Sequence, residues 1–147
     1  MTSKVSLLRT PRVVLVYGVM GLTGFLGPPL AGLLAPDHRD LALRLLIAYA
    51  ALILSFLGGA RWGLTVARPE PSPLTVSLAM LPTLFALGLM MLPATLQSWQ
   101  IGGLVLGLTL QWLWDIRARG LPDWYPGLRT LLSGGAVAGL IAGALFL

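Results

Sequence analysis

The sequence predicts an all-α, polytopic membrane protein with five transmembrane helices, its N-terminus cytoplasmic and its C-terminus periplasmic, and three properties carry that prediction. The first is composition. Of 147 residues, 56% are hydrophobic and only 10% are charged, whereas soluble domains average about 25% charged residues. Second, charged and proline-rich islands cut the chain into five apolar runs, near 13–35, 41–67, 74–92, 99–116 and 127–147. A hydrocarbon core about 30 Å thick takes about 20 helical residues at ~1.5 Å each, and every run is near or above that length. Third, the runs are continuously apolar with small residues every three or four positions, unlike the alternating ~10-residue segments of a membrane barrel. The chain therefore reads as a single transmembrane helical domain over 1–147.

The elements follow in order. The first run is preceded by Lys4, Arg9 and Arg12, continues beyond signal-peptide length and offers no small-residue cleavage site, so it reads as a retained span. Pro28 and Pro29 within it each remove a backbone donor and should kink it. The second run carries Arg61 between Gly59 and Gly63, a GxxxG pair. The third opens on Ser72-Pro73, an N-cap followed by proline at the first helical position, and contains a second kink residue, Pro82. The fourth places Gly103, Gly107, Gln111 and Asp115 four residues apart along one slowly drifting ridge. The fifth carries the GxxxGxxxG ridge Gly135, Gly139 and Gly143. Such ridges permit close backbone approach, either within the protein or against a second subunit, most plausibly from the last helix.

Orientation follows from the basic residues. Lys4, Arg9, Arg12, Arg68, Arg117, Arg119 and Arg129 fall on one side of five alternating spans, and only Arg39 and Arg44 fall on the other. The positive-inside rule then puts the N-terminus in the cytoplasm and the loops at 36–40 and 93–98 outside. The net charge of +5 belongs to this pattern. The basic residues flank apolar spans and form no stripe with interleaved aromatics, so nucleic acid is not an expected partner; membrane lipids are.

Arg61 is a permanent charge within an apolar run, at a cost of about 2.5–3.5 kcal/mol on insertion scales. It lies about 10 Å inside the boundary marked by Arg68, and Asp115 about 6 Å inside that marked by Arg119, so their depths overlap. If the glycines mark the protein-facing side, Gln111 and Asp115 also face inward, where a carboxylate needs a partner. The expected pair is Arg61–Asp115, with Arg129 competing. Arg61 has two other readings: a stem bent to the headgroups, and a ligand or ion site. Tyr17, Trp62, Trp112, Trp114, Trp124 and Tyr125 gather at the same boundary, as an aromatic belt does. Trp112 and Trp114 stand about 200° apart on one helix, so both cannot face lipid equally. An inward ring beside Arg61 and Asp115 could wall a pocket for a lipid headgroup or a quinone head.

The run from Tyr49 to Gly63 with Phe56-Leu57-Gly58-Gly59 and Trp62-Gly63, followed by Asp115, Pro122, Trp124-Tyr125 and Leu128-Arg129, resembles a small bacterial inner-membrane family known only as a domain of unknown function, with mitochondrial transmembrane relatives. The resemblance covers the second to fifth runs, and Trp-Tyr-x-x-Leu-Arg is its most specific part. It implies a bacterial inner-membrane or mitochondrial setting, the former preferred. It also implies that Trp62, Asp115, Trp124, Tyr125 and Arg129 belong to a shared pattern, and it implies no activity.

The residues do not suggest an enzyme. His38 is the sole histidine and cysteine is absent, which excludes bis-histidine haem, thiolate metal sites and a cysteine nucleophile within one chain. Asp37, His38 and Asp40 read as a solvated loop. With one carboxylate inside a span there is no paired-acid chemistry, and five spans cannot split into equal inverted halves as many transporters do. The expectation is a non-catalytic accessory, assembly or stabilising component of a larger membrane complex or homo-oligomer, with no metal and no cofactor. The alternative is a carrier or binding protein for a small amphipathic ligand. Exchanging Arg61 and Asp115 is expected to restore a folded, extractable protein after each single change has reduced its yield. Absence of rescue in the double variant counts against that pair.

Overall fold

A backbone surrounded by hydrocarbon must satisfy its N–H and C=O groups within each segment, so long apolar runs become helices. A computed structural model of the protein describes residues 9–147, so Lys4 of the basic N-terminal group lies outside the described residues. Among them the elements are α1 (Arg12–Gly21), α2 (Thr23–Leu34), α3 (Arg39–Val66), α4 (Pro73–Met90), α5 (Gln97–Ile116) and α6 (Tyr125–Phe146). Short 3-10 turns over Pro36–His38 and Ala94–Leu96 lead into α3 and α5, and no described residue is in a strand. The all-α class is therefore as the sequence predicts.

Four stretches are long and apolar enough to cross a membrane: Arg12–Leu34, Pro36–Val66, Pro73–Met90 and Tyr125–Phe146. The fourth predicted run forms α5, which at 20 residues has the length but does not join that group. Its helix carries Gln97, Gln100, Gln111 and Asp115, and the last three of these are buried. Polar residues turned into the protein lower a helix's average apolarity without exposing polarity outward.

Helix ends follow local chemistry. Ser72 accepts a hydrogen bond from the Thr75 backbone N–H at 3.4 Å and Pro73 begins α4, as the Ser-Pro pair predicts. The first run, in contrast, breaks at Leu22 and not at its prolines. There the Leu22 N–H donates three residues back, to the Val19 carbonyl at 3.0 Å, and the Thr23 hydroxyl donates to the Met20 carbonyl at 2.7 Å. A 3-10 contact and a side chain competing for a helical carbonyl together interrupt the ladder. Gly120, at φ 78°, supplies the left-handed residue in the turn between α5 and α6.

The chain divides into two compact units. The first comprises residues up to Leu46 and Trp112–Leu147; the second is Ile47–Gln111. In the first, α6 runs parallel to α1 and α2 in a steady register. A Cβ built on Gly18 would meet Leu132 and Leu128, on Gly135 Leu22, on Gly139 Phe25, and on Gly32 Leu147. Pro29 cannot donate to the Phe25 carbonyl four residues back, and that carbonyl oxygen lies 2.5 Å from the Cβ that Gly139 lacks. Gly143 is likewise filled, by Leu46 at the start of α3. At the end of α2, Arg39 Nε donates to the Gly32 carbonyl at 3.3 Å. An arginine on the sparsely basic side thus caps a helix C-terminus.

In the second unit, α3 and α4 pack antiparallel. Ser55 and Thr83 share a hydrogen bond of 3.0 Å, and one turn on, a Cβ on Gly58 would sit 2.8 Å from the Ala79 carbonyl oxygen and 3.0 Å from Pro82 Cβ. Against α4, α5 is also antiparallel: Gly107 faces Phe85 and Gly103 faces Leu89, while Gln100 Nε2 donates to the Leu89 and Leu92 carbonyls at 3.0 and 3.2 Å. Leu89 lies in the last turn of α4, where its carbonyl also accepts from the Leu92 N–H at 3.2 Å, and Leu92 follows just beyond the helix, where carbonyls lack an i+4 partner.

Gly59 and Gly63 differ from the other GxxxG glycines in having no described residue within 4 Å of a built Cβ. Their face of α3 is open, whereas the α6 ridge, which the sequence offers as a subunit-docking face, is filled by Leu22, Phe25 and Leu46 of the same unit. Gly139→Ala should therefore cost about 1–3 kcal/mol through a clash with rigid backbone, whereas Gly59→Ala should stay within about 0.5 kcal/mol of the parent. Thermal unfolding in detergent measures both, and equal effects would count against this division.

Candidate functional site

The polar residues of the first unit converge where α5 ends and α6 begins. Asp115 occupies the last turn of α5 and is 3% exposed; Arg129 follows one turn into α6 and is 6% exposed. Arg129 Nε donates to Asp115 Oδ2 at 2.8 Å. Of the two arginines that the sequence offers Asp115, Arg129 holds it within this unit. The intervening residues return the chain so that the α5 terminus and the α6 start lie side by side, which brings groups 14 positions apart into contact.

A second link parallels the first. Trp112 Nε1 donates to Thr130 Oγ1 at 3.0 Å, and the Thr130 hydroxyl donates to the Pro126 carbonyl at 2.9 Å. Trp112 and Asp115 are three apart on α5 and reach adjacent residues of α6, so two side chains on one helical face clamp one turn of the next helix. Trp124 and Tyr125 stand edge to face, ring centroids 6.1 Å apart at 63°, at the entry to α6. Trp112 and Trp114 are both half-buried, and neither points wholly outward.

Buried arginine is costly unless each donor finds an acceptor. Arg129 Nη2 is buried without a hydrogen-bond partner among the described residues, and the same holds for Thr10 Oγ1, just before α1. Ser133, one turn beyond Arg129, is also buried. The Asp115–Arg129 cluster thus has one satisfied charge pair and one unmet polar atom, Arg129 Nη2.

The remaining predicted residues belong to the second unit. Arg61 is half-buried on α3, and its carbonyl accepts from the Thr65 hydroxyl at 2.9 Å; Trp62 beside it is exposed. Gln111 is buried at the end of that unit's part of α5. Sequence reasoning missed Thr10, Gln100 and Thr130. Gln100 was findable, because it extends the Gly103–Gly107–Gln111–Asp115 ridge by one further helical step. Thr10 and Thr130 carry no such signal, being a terminal hydroxyl and an exposed one.

With this geometry in hand, comparison with known proteins gives one consistent result. Residues 10–145 match the model of a family described as protein of unknown function DUF3429, and the chain belongs to that family. It is 30% identical over 138 residues to Transmembrane protein 69 of Xenopus tropicalis, covering 89% of this chain and 53% of the relative. It is also 30% identical over 129 residues to Transmembrane protein 69 of Mus musculus, covering 84% of this chain and 51% of the relative. The chain thus spans about half the length of the curated relatives it matches. No solved structure matches it. Family and helices together make this a membrane protein, with the resemblance drawn from the sequence confirmed.

The pair supports a stability prediction. Asp115→Ala should cost about 3–5 kcal/mol, because it strands a buried guanidinium. Asp115→Leu combined with Arg129→Met should cost clearly less than the sum of the single changes, since no charge is then left uncompensated. Thermal melts of the parent, the single variants Asp115→Leu and Arg129→Met and the double variant complete the cycle, and additive losses would mean that the two side chains are not coupled.

Proposed function

We propose that this DUF3429-family member is a five-span, non-catalytic integral protein of the bacterial inner membrane, acting as an accessory, assembly or stabilising component of a larger membrane complex. The observation that carries this reading is the engagement of Asp115 with Arg129. The acid expected within the fourth span is held in a structural clamp, as a residue that fixes helices is and a proton carrier is not. The exposed side of α3, where Leu52 and Phe56 precede the open Gly59 and Gly63, supports contact with a partner helix.

Five crossings are supported by the parallel register of α1–α2 and α6. Two helices of one chain run the same way across a membrane only if an odd number of crossings separates them. On this reading α3, α4 and α5 are the three crossings between them. Its buried glutamines and aspartate account for its lower apolarity. The distribution of basic residues favours an N-terminus inside and a C-terminus outside.

A second reading, a carrier or binding protein for a small amphipathic ligand such as a lipid or quinone at the cytoplasmic side, is favoured by the unmet donors at Arg129 and Thr10. Gentle solubilisation followed by native mass spectrometry separates the two. A heterologous partner is the expected result for the accessory role; a monomer or homo-oligomer retaining one amphipathic molecule favours the second; a bare monomer counts against both. For topology, the absence of cysteine lets single introduced cysteines report alone. Thr95→Cys and Arg119→Cys should react with an impermeant maleimide from opposite faces, and reaction from one face would remove the α5 crossing.

A further inference from the structure

The most exacting feature of the first unit is an arginine nine-tenths buried with only part of its guanidinium engaged. Arg129 Nε binds Asp115 Oδ2, while Nη2, on the edge it shares with Nε, is buried without an acceptor among the described residues. That edge suits two oxygens side by side. Asp115 provides one through Oδ2, and Nη2 requires another.

Thr10 carries a second unmet polar atom in the same unit. It precedes α1, and the register of α1 on α6, Gly18 against Leu128 and Leu132, carries it to the level where α6 begins. The Arg129 side chain leans towards its own helix N-terminus, hence towards that same end. Thr10 Oγ1 is 7% exposed as a residue and has no partner among the described residues. A donor and a hydroxyl, both buried and both unmet, converge on one end of the unit.

The charge of that end selects the chemistry. Arg9, Arg12, Arg117 and Arg119 stand there against Asp123, beyond the neutralised Asp115–Arg129 pair. Trp112, Trp124 and Tyr125 supply amphipathic rings of the kind that settle at headgroup level. We infer that Arg129 Nη2 and Thr10 Oγ1 hold a phosphate oxyanion at the α1–α6 entrance, supplied by the headgroup of an anionic phospholipid or by free phosphate. One phosphate offers acceptors to both atoms at once, and the surrounding arginines favour its charge, which a water or a neutral quinone would not use. This rests on the ligand-binding reading and gives it a chemical class.

The test uses the full chain in nonionic detergent with three probes: phosphatidylglycerol, a glycosyl diacylglycerol that lacks phosphate, and inorganic phosphate. Arg129→Lys keeps a cation for Asp115 but removes Nη2, and Thr10→Val removes the hydroxyl at nearly constant shape. Native mass spectrometry should show phosphatidylglycerol retained over the glycolipid, with retention falling about tenfold in each variant, the size of one lost charge-assisted hydrogen bond. If the source is free phosphate, inorganic phosphate should raise the melting temperature of the parent and not of the variants. Equal retention of both lipids with no phosphate effect overturns the inference. So does binding of phosphatidylglycerol that both variants preserve while their helical circular dichroism is unchanged. Retention of a neutral quinone alone overturns the phosphate assignment and leaves the ligand-binding reading standing, whereas failure of all probes, quinone included, removes both. Should Arg129→Lys not fold, Thr10→Val decides alone.

Discussion

A carboxylate in an apolar helix is the most demanding constraint in this chain, and Arg129 meets it. The contact between Arg129 Nε and Asp115 Oδ2 joins the last turn of α5 to the start of α6. With Trp112 bound to Thr130 alongside, the pair fixes where α6 begins and which of its faces turns inward. The buried face of α6, Leu128, Arg129, Ser133, Ala136, Leu140 and Gly143 among others, then continues along the helix from that point. A buried ion pair is weak evidence of net stability. Its effect here is specificity: any other rotation of α6 would bury a lone guanidinium.

Packing beyond the pair relies on proline and glycine used together. Within α2, Pro29 cannot donate to the Phe25 carbonyl, and Gly139 of α6 approaches that group; within α4, Pro82 lies against Gly58 of α3. In both units a helix carrying an internal proline meets a glycine on its neighbour, although the helices run parallel in one case and antiparallel in the other. Without water or a hydrophobic drive between helices in lipid, such close approach is what dispersion and backbone contacts require. The open Gly59 and Gly63 lack a counterpart of this kind among the described residues.

Polar side chains that are not in the clamp mostly serve backbone ends. Gln100 caps the carbonyls that close α4, Arg39 caps the end of α2, and Ser72 caps the start of α4. Each adds a hydrogen bond to a helix-end group, where the helical ladder runs out. Against that background the unmet Nη2 of Arg129 and hydroxyl of Thr10 stand apart.

Much of this was legible in the sequence. Composition, run length and the lack of alternation determined the all-α membrane class, because hydrocarbon admits only helices and closed barrels and these runs are continuously apolar, and Ser72-Pro73 announced its own cap. The resemblance in Trp124-Tyr125 and Leu128-Arg129 was equally readable, since it is a property of residue order. Helical spacing also put Gln111 and Asp115 on one ridge. It could not show that Arg129 reaches Asp115, because that contact depends on how the turn after α5 directs α6. Nor could a GxxxG pattern say which glycines are filled: Gly135, Gly139 and Gly143 meet side chains or backbone and Gly59 and Gly63 meet nothing, although the motifs look alike. The break at Leu22 in place of Pro28-Pro29 is of the same sort, a local hydrogen-bond competition that residue identity alone did not rank. Periodicity is intrinsic to one helix and survives in the sequence. Partner, register and the unmet atoms at the α6 entrance belong to pairs of helices, and only the tertiary structure decided them.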